Sequence, residues 1–305
     1  MQSFNEEHIS LLSKGDFLSL ARAISFIENE VDGYEDLLMK LQPSSAKIIG
    51  ITGAPGAGKS SLADALIAEM ISDKKKVAVL CVDPSSPFNK GALLGDRIRM
   101  SEWYNHPDVF IRSLASKGSL GGLHPKIIEI SDLVKSAGFD YVIIETVGVG
   151  QSEVDIAALA DLTTVMLVPE GGDVIQTMKA GLMEVADIFV INKYDRPGAD
   201  NFYNALKQML GPVFNKTSKR IPIVKTVAST KEGIPELYNK IKEWQFDGNS
   251  QQKINLATEK IWSIIQNQKM KEIDREDLQI ELLKAIKEPD FNLYSFAKKY
   301  EEEKS

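Results

Sequence analysis

The run Gly53-Ala54-Pro55-Gly56-Ala57-Gly58-Lys59-Ser60 has the spacing G-x-x-x-x-G-K-[ST], and each position has a chemical reason. Glycines let the backbone curl until successive N–H groups face one phosphate, and the start of a helix adds its partial positive charge. Lys59 is long enough to reach the β- and γ-phosphates of a nucleoside triphosphate, and the Ser60 hydroxyl is a hard ligand for Mg²⁺. The apolar run Ile48 to Thr52 precedes the motif, and a helical pattern opens near Ser61-Leu62-Ala63. That strand, loop and helix are the context a phosphate-binding loop requires, with Ser61 as a further contact at the helix start.

A second motif would choose the base. The apolar run ending at Ile191 leads into Asn192-Lys193-Tyr194-Asp195, an N-K-x-D at the carboxyl end of a strand, where open α/β sheets bind ligands. A carboxylate at Asp195 accepts both the N1–H and the exocyclic amine of guanine, and adenine offers neither there. Asn192 would brace the loop, and the Lys193 stem would cover the base. Ala228-Ser229, after the run Ile221 to Val227, either forms a second base-contacting loop or closes an ordinary turn.

Metal and water have further candidates. The run Tyr141 to Ile144 ends at Glu145-Thr146-Val147-Gly148, where nucleotide-hydrolysing relatives of this motif commonly carry Asp-x-x-Gly. Glu145 is read as a magnesium-side carboxylate and Gly148 as a γ-phosphate contact. Asp83, ending the run Val77 to Val82, and Asp96 lie either near the metal and attacking water or at turn caps. Gln151 either orients water or begins the next helix. His8, His106 and His124 are too dispersed for a metal site, and Cys81 reads as a small core residue inside a strand.

The elements around these residues follow from patterning. Apolar residues recur at helical spacing from Glu6 to Leu41, and Pro43 closes that section. From Lys47 to Gln245, short β-rich runs at 48–52, 77–82, 109–113, 141–146, 163–168, 188–192 and 221–227 alternate with amphipathic stretches. Such alternation predicts an α/β P-loop NTPase fold with a mostly parallel sheet flanked by helices. After Gly248 the pattern is helical again. The expected organisation is an N-terminal helical extension at 1–43, a nucleotide-binding domain at 44–247 and a C-terminal helical extension at 248–305.

The 305 residues are 43% hydrophobic and 26% charged, which is ordinary globular composition. A net charge of −7 argues against duplex nucleic acid as a partner. One cysteine excludes a disulfide framework within the chain. The N-terminus lacks the pattern of a signal peptide, and no apolar run approaches the ~20 residues that cross a bilayer. A soluble, cytoplasmic protein without membrane partners is expected.

Taken together, Gly-Ala-Pro-Gly-Ala-Gly-Lys-Ser at 53–60, Val-Asp-Pro-Ser-Ser-Pro-Phe at 82–88, Leu-Gly-Asp-Arg-Ile-Arg-Met at 94–100, Glu-Thr-Val-Gly-Val-Gly-Gln-Ser-Glu at 145–153 and Asn-Lys-Tyr-Asp at 192–195 resemble the MeaB/ArgK family. These are GTPase chaperones of adenosylcobalamin-dependent acyl-CoA mutases such as methylmalonyl-CoA mutase. The resemblance covers about Ala21 to Trp244, and Glu145 in place of aspartate agrees with it. It implies a homodimer, joined with help from the C-terminal helices, and GTP-gated loading or protection of the mutase's cobalamin. It also places a mobile segment at 171–179, where Asp173, Gln176 and Lys179 match and Lys179 would supply charge at the nucleotide once the mutase docks. Tyr194 departs from the pattern, which usually has a small residue there. Nickel insertion by a metallochaperone GTPase, and a kinase linked to amino-acid transport, are the alternative readings.

Overall fold

The computed structural model describes residues 6–83, 97–116, 123–146, 152–171, 182, 185–217, 221–244, 251–270, 273–288 and 290–304. Asp96, Gly148, Gln151, Asp173, Gln176 and Lys179 lie outside the described residues. The chain divides into two compact units, Met1–Phe246 and Asp247–Ser305.

The first unit is built on a seven-stranded sheet. Its strands are β1 (Lys47–Gly53), β2 (Val77–Asp83), β3 (Val109–Ala115), β4 (Tyr141–Glu145), β5 (Leu162–Leu167), β6 (Ile188–Ile191) and β7 (Ile223–Lys225). Their order is β3-β2-β4-β1-β5-β6-β7, and every pairing is parallel. Both faces are covered, which is why these strands read as continuous apolar runs rather than alternating ones. Alternation survives in the packing: Ala78, Leu80, Val82, Val142 and Ile144 enter one core, while Val77, Val79, Cys81, Tyr141 and Ile143 enter the other. Cys81 is buried, as its place in a strand predicts. β7 is shorter than the apolar run Ile221 to Val227. Pro222 has no N–H to donate at one end, and the Val227 N–H turns to the Glu232 carbonyl at the other.

Helices follow the strands: α4 (Lys59–Ser72) after β1, α5 (Ile127–Ser136) before β4, α6 (Ser152–Leu159) after it, α7 (Ala199–Thr217) after β6 and α8 (Ile234–Glu243) after β7. The N-terminal helical run comprises three helices, α1 (Glu6–Ser13), α2 (Phe17–Glu28) and α3 (Tyr34–Met39). Leu12, Leu20, Ile24 and Ile27 pack in one core with Ile48, Leu80, Leu133 and Val142, so these helices belong to the first compact unit. Fully burying a leucine or isoleucine contributes about 1.5–3 kcal/mol, which ties α2 firmly to the sheet.

The break before α2 is specific. Gly15 takes φ +78°, and Asp16 Oδ1 accepts from the Ser19 N–H at 2.7 Å. Replacing Asp16 with alanine is expected to cost about 1 kcal/mol in urea unfolding, and asparagine should keep most of it. The bonds from Ser19 hold the Asp16 carboxyl below its usual range. A depressed carboxyl contributes stability above its unfolded value, so the cap's share is lost as pH falls through the folded one.

The second unit contains α9 (Gln251–Met270), α10 (Arg275–Ala285) and α11 (Leu293–Lys304). Ile254, Ile261, Trp262 and Ile265 fall on one stripe of α9 and are largely exposed within the chain.

Candidate nucleotide-binding site

The phosphate loop leaves the central strand. At Gly53 the backbone adopts φ +146°, and a Cβ there would press into the Met166 carbonyl oxygen of β5, so only glycine fits. Gly58, at φ +95°, precedes α4, and a Cβ there would come within 2.5 Å of Asn192 Nδ2, so its absence leaves room for that amide. α4 begins at Lys59, two residues before the sequence pattern suggested. Lys59 and Ser60 therefore occupy the first turn, whose N–H groups have no partner within the helix. Lys59 is buried, and its Nζ donates to the Gly53 and Ala54 carbonyls at 3.0 and 3.2 Å.

The carboxyl ends of the neighbouring strands supply acids. Ser60 Oγ donates to Glu145 Oε1 at 2.7 Å, and both residues are buried. Glutamate is long enough to reach from the end of β4 to the first turn of α4 directly. Thr146 stitches the strand ends together, its N–H donating to the Ile51 carbonyl and its hydroxyl lying 3.1 Å from that of Thr52. Cys81 of β2 pairs with Glu145 of β4, so the buried Asp83 lies two residues farther along, at the same edge of the sheet.

The N-K-x-D segment follows β6, two strands away from β1 in the sheet. Asn192 occupies a junction: its Nδ2 donates to the Ala57 carbonyl at 2.8 Å. Its Oδ1 accepts from the Ala228 N–H at 3.0 Å and the Thr226 hydroxyl at 3.2 Å. One buried amide thus joins the phosphate loop, the β6 end and the β7 loop. Lys193 adopts a left-handed φ of +55°, a conformation that costs a non-glycine residue on the order of 1 kcal/mol or more. Its Nζ stands 3.5 Å from Glu170, which also faces Arg196 at 3.4 Å. Tyr194 lies against Lys225, whose ammonium is 4.5 Å from the ring centroid. Burial, then the bond to Asp200, pushes the Tyr194 phenol up. The bond to Tyr194 in turn raises the Lys225 ammonium above its usual range.

Gly58, Ser61, Asn192, Lys193, Asp195, Arg196, Val227, Ala228 and Ser229 line one cavity of about 160 Å³. The structure thus brings together the glycine loop, the N-K-x-D loop and the Ala228-Ser229 loop. Sequence reasoning missed Glu170, Thr226 and Lys225, because each acts through a neighbour distant in sequence and none carries a motif of its own, and it gave Thr146 no role although that residue stands inside a motif.

A parallel sheet with a glycine-rich loop leading from its central strand into a helix defines a P-loop NTPase. The chain belongs to the family of methylmalonyl Co-A mutase-associated GTPase MeaB, whose model matches residues 20–277. GTPase ArgK of Escherichia coli is 36% identical over 251 residues, covering 78% of this chain and 75% of that protein. A fused isobutyryl-CoA mutase of Geobacillus kaustophilus is 35% identical over 238 residues, 73% of this chain but 22% of the mutase chain. The crystal structure of a LAO/AO transport system kinase superposes with a TM-score of 0.65 at 26% identity, covering 99% of both chains.

Proposed function

We propose that this protein binds GTP with Mg²⁺, hydrolyses it, and serves as a chaperone of an adenosylcobalamin-dependent acyl-CoA mutase, methylmalonyl-CoA mutase or a close relative. The nucleotide reading rests on one observation above all: a single cavity lined by Gly58 of the glycine loop, by the N-K-x-D loop and by Ala228-Ser229, with Asn192 of the N-K-x-D loop bonded to the other two segments. The family description supports the partner, as does a mutase polypeptide that contains a segment like this one.

Each residue then has a role. Backbone N–H groups of Gly53, Ala54, Gly56, Ala57 and Gly58 surround the β-phosphate, with Pro55, which has no N–H, shaping the loop between them and Ser61 at the helix start. Lys59 exchanges its two carbonyl partners for phosphate oxygens. Asp195 accepts from guanine, Lys193 covers the base, and Ala228 with Ser229 closes the pocket. Ser60, Glu145, Asp83 and Asp96 carry hard oxygen donors of the kind Mg²⁺ takes, and the 2.7 Å hydrogen bond between Ser60 and Glu145 supports their assignment to one site. When bound, Mg²⁺ neutralises phosphate charge. Water bonds to the γ-phosphorus as the bond to the β,γ-bridging oxygen breaks, releasing GDP and phosphate. Gln151 orients that water, Gly148 contacts the γ-phosphate, and Lys179 adds positive charge only in the complex.

The mutase reading places the protein in the cytoplasm. No described helix is long and apolar enough to cross a membrane. It also assigns residues 248–305 to a homodimer, which the exposed stripe of α9 supports.

GTP turnover with and without purified acyl-CoA mutases tests the whole, with ATP as control and Lys179→Ala alongside. One mutase should raise GTP hydrolysis by about 100-fold, the worth of one well-placed charge stabiliser, and Lys179→Ala should lose that rise. GTP turnover indifferent to every mutase would discard the chaperone role. Labelled γ-phosphate on an acceptor other than water would favour a kinase, and tight nickel binding a metallochaperone.

A further inference from the structure

We propose that Tyr194 is a positioning residue that aims Asp195 at guanine, through a strut joining the base loop to α7 and β7; this rests on the reading of the cavity as a guanine site. Lys193, Asp195 and Arg196 line the cavity, whereas Tyr194 does not. Its side chain is committed elsewhere. The phenol donates to Asp200 Oδ1 at 2.6 Å, in the first turn of α7. Lys225 of β7 packs over the ring at 4.5 Å, over the Tyr203 ring at 4.2 Å, and stands 3.7 Å from Asp200. The Tyr194 N–H donates to the Thr226 carbonyl at 3.1 Å, and the Thr226 hydroxyl reaches Asn192. Main chain and ring of the residue beside Asp195 are therefore both tied to the sheet edge.

Asp195 itself is 56% exposed, and among the described residues its ion-pair neighbour Arg196 is at 4.0 Å. Its aim is inherited from the backbone rather than from bonds of its own. Each contact in the strut is modest at a wet surface. Together they hold a loop whose displacement by about 1 Å would spoil a two-point hydrogen bond, and errors of that size can cost on the order of 10²-fold.

The test compares binding of GDP and inosine diphosphate, which keeps N1–H but lacks the 2-amino donor. It uses wild type, Tyr194→Phe, Tyr194→Ala and Asp195→Ala, with melting temperatures in parallel. Wild type should prefer GDP by about tenfold, the worth of one hydrogen bond to a carboxylate, and Asp195→Ala should abolish the preference. If Tyr194 aims Asp195, Tyr194→Ala also brings the GDP preference to within about twofold of one, with inosine diphosphate affinity falling far less. Tyr194→Phe, which keeps the ring over Lys225 but loses the bond to Asp200, should fall between. A full GDP preference in Tyr194→Ala, with only the melting temperature lowered, would make the strut merely structural and overturn the proposal. A wild-type protein without GDP preference, or one whose preference survives Asp195→Ala, would instead overturn the guanine reading and the proposal with it. Should Tyr194→Ala fail to fold, Tyr194→Phe and Asp200→Ala decide: a reduced GDP preference in either supports the strut, and an unchanged one in both sinks it.

Discussion

Lys59→Ala is expected to lower affinity for GTP by about 10²–10⁴-fold, the loss of two charge-assisted hydrogen bonds to phosphate at about 1.5–3 kcal/mol each. Lys59 is buried in the first turn of α4, with its ammonium held by the Gly53 and Ala54 carbonyls at the mouth of the loop. A bound phosphate would meet that ammonium already in place, so little ordering remains to be done on binding. The cleanest readout is thermal stabilisation by nucleotide. Ligand at about 100 times the dissociation constant stabilises wild type by about 2.7 kcal/mol, and the same concentration should leave Lys59→Ala nearly unshifted. Equal stabilisation of both proteins would reduce Lys59 to a lysine that closes a glycine-rich turn.

Asp195→Asn is expected to exchange guanine for xanthine as the preferred base. In the guanine reading the carboxylate would accept from N1–H and from the 2-amino group; an amide keeps one acceptor and offers one donor, which matches N1–H and the 2-oxo group of xanthine. Mismatched pairs leave a polar group facing its like, so the ratio of GTP to xanthosine triphosphate affinity should invert, by about 100-fold in each direction. Competition binding against fluorescent GDP measures it directly. A variant that keeps its guanine preference would remove Asp195 from the base site, whatever the cavity around it.

Much of the site was legible because its motifs are local. The glycine spacing at 53–58 needs only strand-to-helix geometry, and the apolar runs marked all seven strands. Extent was less legible where backbone chemistry intervened: Pro222 and the turn at Val227 shorten β7, and Gly15 with Asp16 sets where α1 gives way to α2. Periodicity reports which residues are buried, not where a hydrogen-bond ladder stops. Glu145 stood out as a substitution for aspartate, yet nothing in the chain near it reveals that its carboxylate meets Ser60, 85 residues away.

By itself the sequence determined the chemistry on offer: a cation and hydroxyl at the start of one helix, acids at strand ends, a carboxylate in an N-K-x-D loop. It also determined an α/β fold, since apolar runs alternating with amphipathic stretches can bury both faces of a parallel sheet in few other ways. Only the tertiary structure decided which of these ends meet. β4 inserts between β2 and β1, bringing Glu145 to Ser60, and β6 lies beyond β5, bringing Asn192 to Ala57 across 135 residues. Strand order is set by which helices and edges pack best over the whole sheet, and buried apolar strands look alike locally, so no short window of sequence carries that information.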